Sequence, residues 1–192
     1  SAIADAAVLC EIGGGRRLWL DPLPTVLHRS ELDAALHGAD PTVVGLVDDP
    51  SGQTRRALRP THTAHLVLVG ALGSGTTTAA IAVAAGFARL ADPDDAHLYV
   101  VDGRGEPALD ALAQIAHCGA VIRITEVERI DRLLRRLAEE IDHRAHVRER
   151  RPRTLVVVDG LDTLRSTLDP IDRSESVTNL DRIIRDGPLV KA

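Results

Sequence analysis

A glycine-rich segment between residues 70 and 78 has the residue types and spacing of a phosphate-binding loop. Gly70, Gly75 and Thr77 fit the pattern GxxxxGK[ST], and the lysine position is occupied by Thr76. In such loops, backbone N–H groups and the start of the next helix bind phosphate oxygens, and the hydroxyl in Thr77's position binds Mg²⁺. The candidate nucleotide-binding residues are Gly70, Gly73, Ser74, Gly75, Thr76, Thr77 and Thr78.

The missing lysine predicts weak nucleotide binding. Of the 23 basic residues only Lys191 is a lysine, and it lies next to the last residue of the chain. A charge-assisted hydrogen bond contributes roughly 1.5–3 kcal/mol, so its loss weakens binding about ten- to a hundredfold. We therefore expect ATP and Mg²⁺ to bind weakly, and no cofactor to be needed for folding. A glycine-rich strand-to-helix turn without a ligand has the same spacing and stays open as an alternative.

A second candidate site residue is Asp159, which ends the apolar run Leu155–Val158. An aspartate at the end of a buried strand holds Mg²⁺ in ATPases of this kind, so Thr77 and Asp159 are the predicted metal ligands. Active enzymes usually place a glutamate next to that aspartate, where it polarises the attacking water. Gly160 stands there instead, and Asp162 is expected to cap the helix that follows. The two motifs together predict little or no turnover.

The elements that must position these residues follow from four continuous apolar runs. The runs predict parallel strands buried on both faces, near 65–69, 97–102, 119–124 and 154–159. The segments between them predict helices at about 75–90, 106–116 and 126–149. Alternating strands and helices indicate an α/β fold with helices on both faces of the sheet. Because ligands bind at the carboxyl ends of such strands, we expect the loop at Gly70 to lie beside Asp159.

Residues 1–60 are expected to form a strap and a short strand that precede a core domain over 61–192. The prolines in Leu18–Pro24 favour extended backbone, and Val43–Val47 reads as a strand that ends at the Asp-Asp-Pro turn.

Composition narrows the function classes. The 192 residues are 44% apolar and 27% charged with a net charge of −5, and no apolar run approaches the ~20 residues of a membrane span. Cys10 and Cys118 form no CxxC pair, so neither a zinc ribbon nor a disulfide framework is predicted. The basic residues of 144–153 alternate with acidic ones, which favours a solvated helix face over a nucleic-acid surface. The lack of methionine indicates a module of a longer protein.

With both motifs placed, the sequence resembles the FtsK/SpoIIIE branch of P-loop (RecA-like) ATPases. It is most similar to the EccC-type ATPase modules of type VII (ESX) secretion systems of actinobacteria. Beyond the loop and Asp159, the resemblance rests on stretches that occur in the family's order and spacing: Leu18–Pro24, Val44–Pro50, Val101–Gly105, His117–Val121, Glu128–Leu134 and Leu180–Pro188.

The resemblance implies a degenerate ATPase module at the cytoplasmic face of the cell membrane, which meets the membrane only through its parent protein. Its implied role is docking or regulation, and its implied partners are other ATPase modules of the motor and small helical WXG-type substrates. The family's core has a further strand beyond Gly187, so the core is expected to be truncated here. The alternatives are an active DNA translocase domain of the FtsK type and a module that binds ATP without turnover.

Overall fold

The structure is a computed structural model that describes residues 20–36, 38, 40–60, 64–146, 151–169 and 174–187. A 3₁₀ helix spans Pro107–Gln114. The α-helices are α1 (Arg29–Ala35), α2 (Thr76–Ala88), α3 (Val127–His146), α4 (Leu161–Leu168) and α5 (Ser174–Asp186). The strands are β1 (Gly45–Asp49), β2 (Thr54–Leu58), β3 (Ala96–Asp102), β4 (Cys118–Arg123) and β5 (Arg153–Asp159).

Three of the four predicted core strands form one parallel sheet in the order β4-β3-β5. In this register Asp102 lies beside Asp159 on one side and Arg123 on the other. The central strand thus ends level with both neighbours, and side chains from all three strands meet at one edge of the sheet.

The prediction of a fourth strand at 65–69 is wrong. This segment has no strand assignment and does not join the sheet, in which β5 is an edge strand among the described residues. Val67 and Val69 are 78% and 90% exposed. An apolar run favours a buried strand only if other elements cover it, and the described residues leave this one open to solvent.

Helices cover both faces of the sheet, as predicted. Alternate side chains of β3 point to opposite faces. Leu98 and Val100 pack in one cluster with Ala84 of α2 and Leu109 of the 3₁₀ helix. Val101 lies in a second cluster, whose other buried members belong to β4, α3, α4 and α5: Ile122, Ile130, Leu133, Leu134, Leu137, Leu164, Leu168 and Leu180.

The predicted helices agree with the structure apart from one change of type. The segment predicted at 75–90 is α2, and that at 126–149 is α3, whose last predicted residues lie outside the described ones. The segment predicted at 106–116 is the 3₁₀ helix, which ends before the turn into β4. Among the described helices, none is long and apolar enough to cross a lipid bilayer.

The described residues fall into two compact units. One contains α1 and an antiparallel hairpin of β1 and β2; the other contains Asp40–Val44 and the chain from Arg59 onwards. The strand predicted at 43–47 lies two residues later, and neither its partner β2 nor α1 was predicted. Of the predicted strap, residues 20–24 are exposed and outside any helix or strand, and 18–19 lie outside the described residues. The domain division at 60/61 stays a prediction.

A buried carboxylate closes the end of the central strand. Asp102 is completely buried, and its Oδ1 accepts hydrogen bonds from the backbone N–H groups of Arg104, Gly105 and Glu106 at 3.1, 2.7 and 3.1 Å. Its Oδ2 accepts a hydrogen bond from the Arg123 guanidinium of β4. A single side chain therefore fixes the turn after β3 and ties it to the neighbouring strand.

This network makes Asp102 a more acidic group than usual. Burial raises the pKa of Asp102, but the hydrogen bonds from the Glu106, Arg104 and Gly105 N–H groups and from Arg123 outweigh it and hold the pKa below the ordinary 3.8. A carboxyl group with a lower pKa in the folded state stabilises the fold when ionised. That stabilisation is present above the unfolded-state pKa and is lost as the pH falls through the folded-state value.

We predict that Asp102→Asn lowers the free energy of unfolding at pH 7 by about 1–3 kcal/mol, because the amide cannot replace the charge in this network. The difference from the unmodified chain should shrink as the pH falls below about 3.8. Urea unfolding at pH 7 and at pH 3 measures both effects. Asp110→Asn is the matched control, since Asp110 also pairs with Arg123 but is 57% exposed, and it should cost under about 1 kcal/mol. A difference that persists unchanged at low pH contradicts the assignment.

Candidate nucleotide-binding site

The loop before α2 is shaped by close contacts of its own residues. A Cβ at Gly70 would lie 2.1 Å from Ser74 Oγ and 2.9 Å from Thr76 Cγ2, so a larger residue there must displace the side chains of Ser74 and Thr76. Gly75 is the N-cap of α2 at φ 87°, and it has no side chain with which to cap the helix. The first-turn N–H groups of α2 are therefore left for an external acceptor, and an anion fits them well.

An open pocket of about 420 Å³ lies at this loop. Of the predicted phosphate-binding residues, the structure places Gly70, Ser74, Gly75 and Thr76 in its wall. Gly73 and Thr78 are exposed and do not line the pocket. The remaining wall is apolar and consists of Val67, Leu68, Val69 and Ala79.

The two sequence motifs meet through one hydrogen bond. The Thr77 hydroxyl in the first turn of α2 donates to Asp159 Oδ2 at the end of β5, at 3.0 Å. The Asp159 side chain is only 10% exposed. The first turn of α2 and the strand end, 82 residues apart in sequence, are thus in contact, as the sequence predicted, although neither Thr77 nor Asp159 lines the pocket.

The residues present fit Mg²⁺. Hydroxyl and carboxylate oxygens are ligands that this ion prefers, and it commonly keeps several waters beside one or two protein ligands and substrate phosphates. Thr77 and Asp159 would hold it, and a bound Mg²⁺ would neutralise phosphate charge.

Sequence reasoning missed the cation nearest to Asp159. Arg104 follows β3, and its Nε lies 3.9 Å from Asp159 Oδ1. Its position in the sequence could have indicated it, because Arg104 comes just after the end of a predicted strand, and ligands bind at the carboxyl ends of parallel strands. Gly103 allows the turn after β3 to lie close to the end of β5. Its N–H donates to the Asp159 carbonyl at 2.7 Å, and a Cβ on residue 103 would lie 2.6 Å from that oxygen.

Position 160 holds a glycine for a backbone reason. Gly160 has φ 78°, in the left-handed region that costs other residues roughly 1–2 kcal/mol. A Cβ there would also lie 3.0 Å from Arg104 Cγ. Gly160 is the N-cap of α4, so the prediction that Asp162 caps this helix is wrong: the helix begins at Leu161, which places Asp162 inside the first turn, where it is exposed.

A parallel sheet, helices on both faces, a glycine-rich loop before a helix, and an aspartate at a strand end beside that helix together define a P-loop nucleoside-triphosphatase fold. A sequence model of the FtsK/SpoIIIE family matches residues 35–161, about two thirds of the chain. The chain belongs to the FtsK/SpoIIIE family.

The curated relatives are type VII secretion proteins. The chain is 25% identical to the ESX secretion system protein EccC of Geobacillus thermodenitrificans over 187 residues, covering 88% of this chain and 12% of that protein. It is 29% identical to the type VII secretion system protein EssC of Staphylococcus aureus over 147 residues, covering 71% of this chain and 10% of that protein. The chain thus spans about a tenth of the length of these relatives.

A solved structure supports the same fold. The cytoplasmic domain of EssC matches with a TM-score of 0.60 and 22% identity, covering 77% of this chain and 30% of that one. Together with the family match, this confirms the α/β P-loop fold.

We predict that Thr77→Val lowers the affinity for ATP about two- to tenfold when Mg²⁺ is present, because the metal loses a neutral hydroxyl ligand. Affinity measured with excess EDTA should stay unchanged. Calorimetric titration under both conditions tests this, and Thr54→Val on β2 is the control for loss of a threonine hydroxyl. Equal losses with and without Mg²⁺ would contradict a metal role for Thr77.

Proposed function

We propose that this chain is a degenerate ATPase module of a type VII secretion motor that serves protein export mainly as a docking or regulatory domain. The observation that carries the proposal is the contact between Thr77 and Asp159 at 3.0 Å, taken together with the residue types at positions 76 and 160. The proposal takes Thr77 and Asp159 as the two metal ligands of an ATPase, whereas Thr76 supplies only a hydroxyl where a cation belongs and Gly160 supplies no acid. In this proposal the site binds Mg-ATP weakly through Gly70, Gly73, Ser74, Gly75, Thr76, Thr77, Thr78 and Asp159.

The electrostatics of phosphoryl transfer argue against hydrolysis at such a site. The reaction depends on positioning and on cationic stabilisation of charge on the γ-phosphate, and one catalytic cation is worth ~10³ or more in rate. Without an acid after Asp159, the attacking water also lacks its usual acceptor. An active DNA translocase domain, the alternative function, requires both groups.

The proposed partners and location follow from the relatives. EccC and EssC are named as secretion system proteins, and the solved neighbour is a cytoplasmic domain. We therefore propose that the chain works at the cytoplasmic face of the membrane within a larger motor, beside other ATPase modules, and that small helical WXG-type proteins are its substrates. An actinobacterial source also remains a proposal.

The first test is turnover. The unmodified chain should release no phosphate above background in a Mg-ATP assay. Thr76→Lys should tighten ATP binding about ten- to a hundredfold, because it restores a charge-assisted hydrogen bond. Hydrolysis should also need Gly160→Glu, and that change should lower the free energy of unfolding by about 1–2 kcal/mol because of the left-handed backbone at 160. Robust Mg-dependent turnover by the unmodified chain would exclude a degenerate site and favour the translocase alternative.

The second test is docking. An exposed apolar stretch lies before and within the glycine-rich loop, in which Val67 is 78% exposed and Leu72 is fully exposed. Exposed apolar stretches are suited to receive the apolar face of a partner helix. The occupant we propose is the C-terminal segment of the small helical substrate encoded with the motor.

Binding of that purified segment should be unaffected by Thr76→Ala and weakened about tenfold by Val67→Ser, which removes one apolar contact. Val26→Ser is the matched control, since Val26 is 66% exposed elsewhere in the chain. Affinity can be measured by fluorescence anisotropy. Failure of the segment to bind, or equal losses in both serine variants, would remove the support for docking on this surface.

A further inference from the structure

The Arg104 guanidinium faces the metal-ligand side of the candidate site. Asp159 uses Oδ2 to accept the Thr77 hydroxyl at 3.0 Å, and Arg104 Nε lies 3.9 Å from the other oxygen, Oδ1. Arg104 is 52% exposed, whereas Asp159 is 10% exposed. The arginine side chain is thus accessible to solvent, whereas the carboxylate beside it is largely buried.

The backbone that carries Arg104 is held in place, so only the side chain is free to move. The N–H groups of Arg104, Gly105 and Glu106 all donate to the buried Asp102 carboxylate. On the other side, Gly103 N–H bonds the Asp159 carbonyl at 2.7 Å. These contacts fix the Arg104 Cα next to the strand end that carries Asp159.

Space for the arginine depends on the neighbouring glycine. A Cβ at Gly160 would lie 3.0 Å from Arg104 Cγ and 3.4 Å from its Nε. A side chain at 160 would therefore crowd the arginine in its present position beside Asp159.

Arg104 lies beside a predicted metal ligand, because its Nε is 3.9 Å from the Asp159 carboxylate. Mg²⁺ held by Thr77 and Asp159 would share its remaining coordination positions between waters and substrate phosphates. A guanidinium presents a planar fork of donors that suits two phosphate oxygens at once.

We propose that Arg104 is a phosphate-binding cation of this site, with the terminal phosphates of a nucleoside triphosphate as its ligand. It approaches from the Asp159 side, so it adds to the charge that a lysine at position 76 would supply and does not replace it. The inference rests on the proposed binding of nucleotide at this site. Without nucleotide the guanidinium lies beside Asp159; with Mg-ATP, Asp159 would hold the metal and the Arg104 guanidinium would donate to the phosphates.

A role of Arg104 as a block of the metal site would change the affinity for Mg-ATP in the opposite direction. If Arg104 only blocks Asp159 against Mg²⁺, its removal frees a metal ligand and tightens Mg-ATP binding. If it binds phosphate, its removal weakens Mg-ATP binding about ten- to a hundredfold.

The experiment is calorimetric titration of the 192-residue chain with Mg-ATP up to millimolar concentration. The variants are Arg104→Ala, Arg104→Lys and the control Arg136→Ala, which removes an exposed arginine of α3. We expect a ten- to hundredfold loss for Arg104→Ala, a smaller loss for Arg104→Lys, which keeps the charge without the fork, and no change for Arg136→Ala. Urea unfolding of each variant establishes that it remains folded.

Tighter or unchanged binding by Arg104→Ala overturns the inference, as does equal weakening by Arg104→Ala and Arg136→Ala. Absence of saturable Mg-ATP binding by the unmodified chain also overturns it, while the docking part of the proposed function stands. Conversely, ATP turnover by the unmodified chain contradicts the proposed function, and the sign of the Arg104→Ala effect still decides the role of Arg104.

Discussion

The architecture of the site depends on one buried charge. Asp102 ends the central strand in a place that water does not reach, and an isolated carboxylate there would be costly. Three backbone N–H groups and the Arg123 guanidinium offset that cost, and in doing so they fix the turn at 103–106. The turn then sets the distance between Arg104 and Asp159, and Asp159 in turn receives Thr77 from α2. Asp102 thus orders the side chains of the candidate site without belonging to it.

The proposed function separates the binding of a nucleotide from its hydrolysis. Binding of a phosphate by a loop uses backbone geometry, and the turn at Gly70 and the uncapped start of α2 have the form that such binding needs. Acceleration of hydrolysis needs charged side chains at two particular positions, which Thr76 and Gly160 occupy in this chain. A single substitution removes the chemistry of one side chain, whereas many residues together determine the shape of a loop. The proposal therefore has this module keep the loop without the reaction.

The sequence was most informative where a signal is local or repeated. Strands β3, β4 and β5 and helix α3 are long segments with a regular spacing of apolar residues, and these apolar residues pack against one another in the core. The contact of Thr77 with Asp159 was predicted from the convergence of strand ends at one edge of a parallel sheet, and it is present although the segment before the loop does not join that sheet. The run at 65–69 has the same composition as the buried strands, yet burial is a property of neighbours that composition cannot supply. Asp102 and Arg104 were missed because their roles arise from a turn whose shape no short motif encodes.

The left-handed backbone at Gly160 limits which residues position 160 accepts. A side chain there meets both an unfavourable φ and the neighbouring Arg104 side chain, whose Cγ would lie 3.0 Å from the new Cβ. A residue introduced at 160 therefore costs stability before it has any effect on catalysis. Positions 104 and 160 form a coupled pair, and any redesign of this corner of the fold has to choose both residues together.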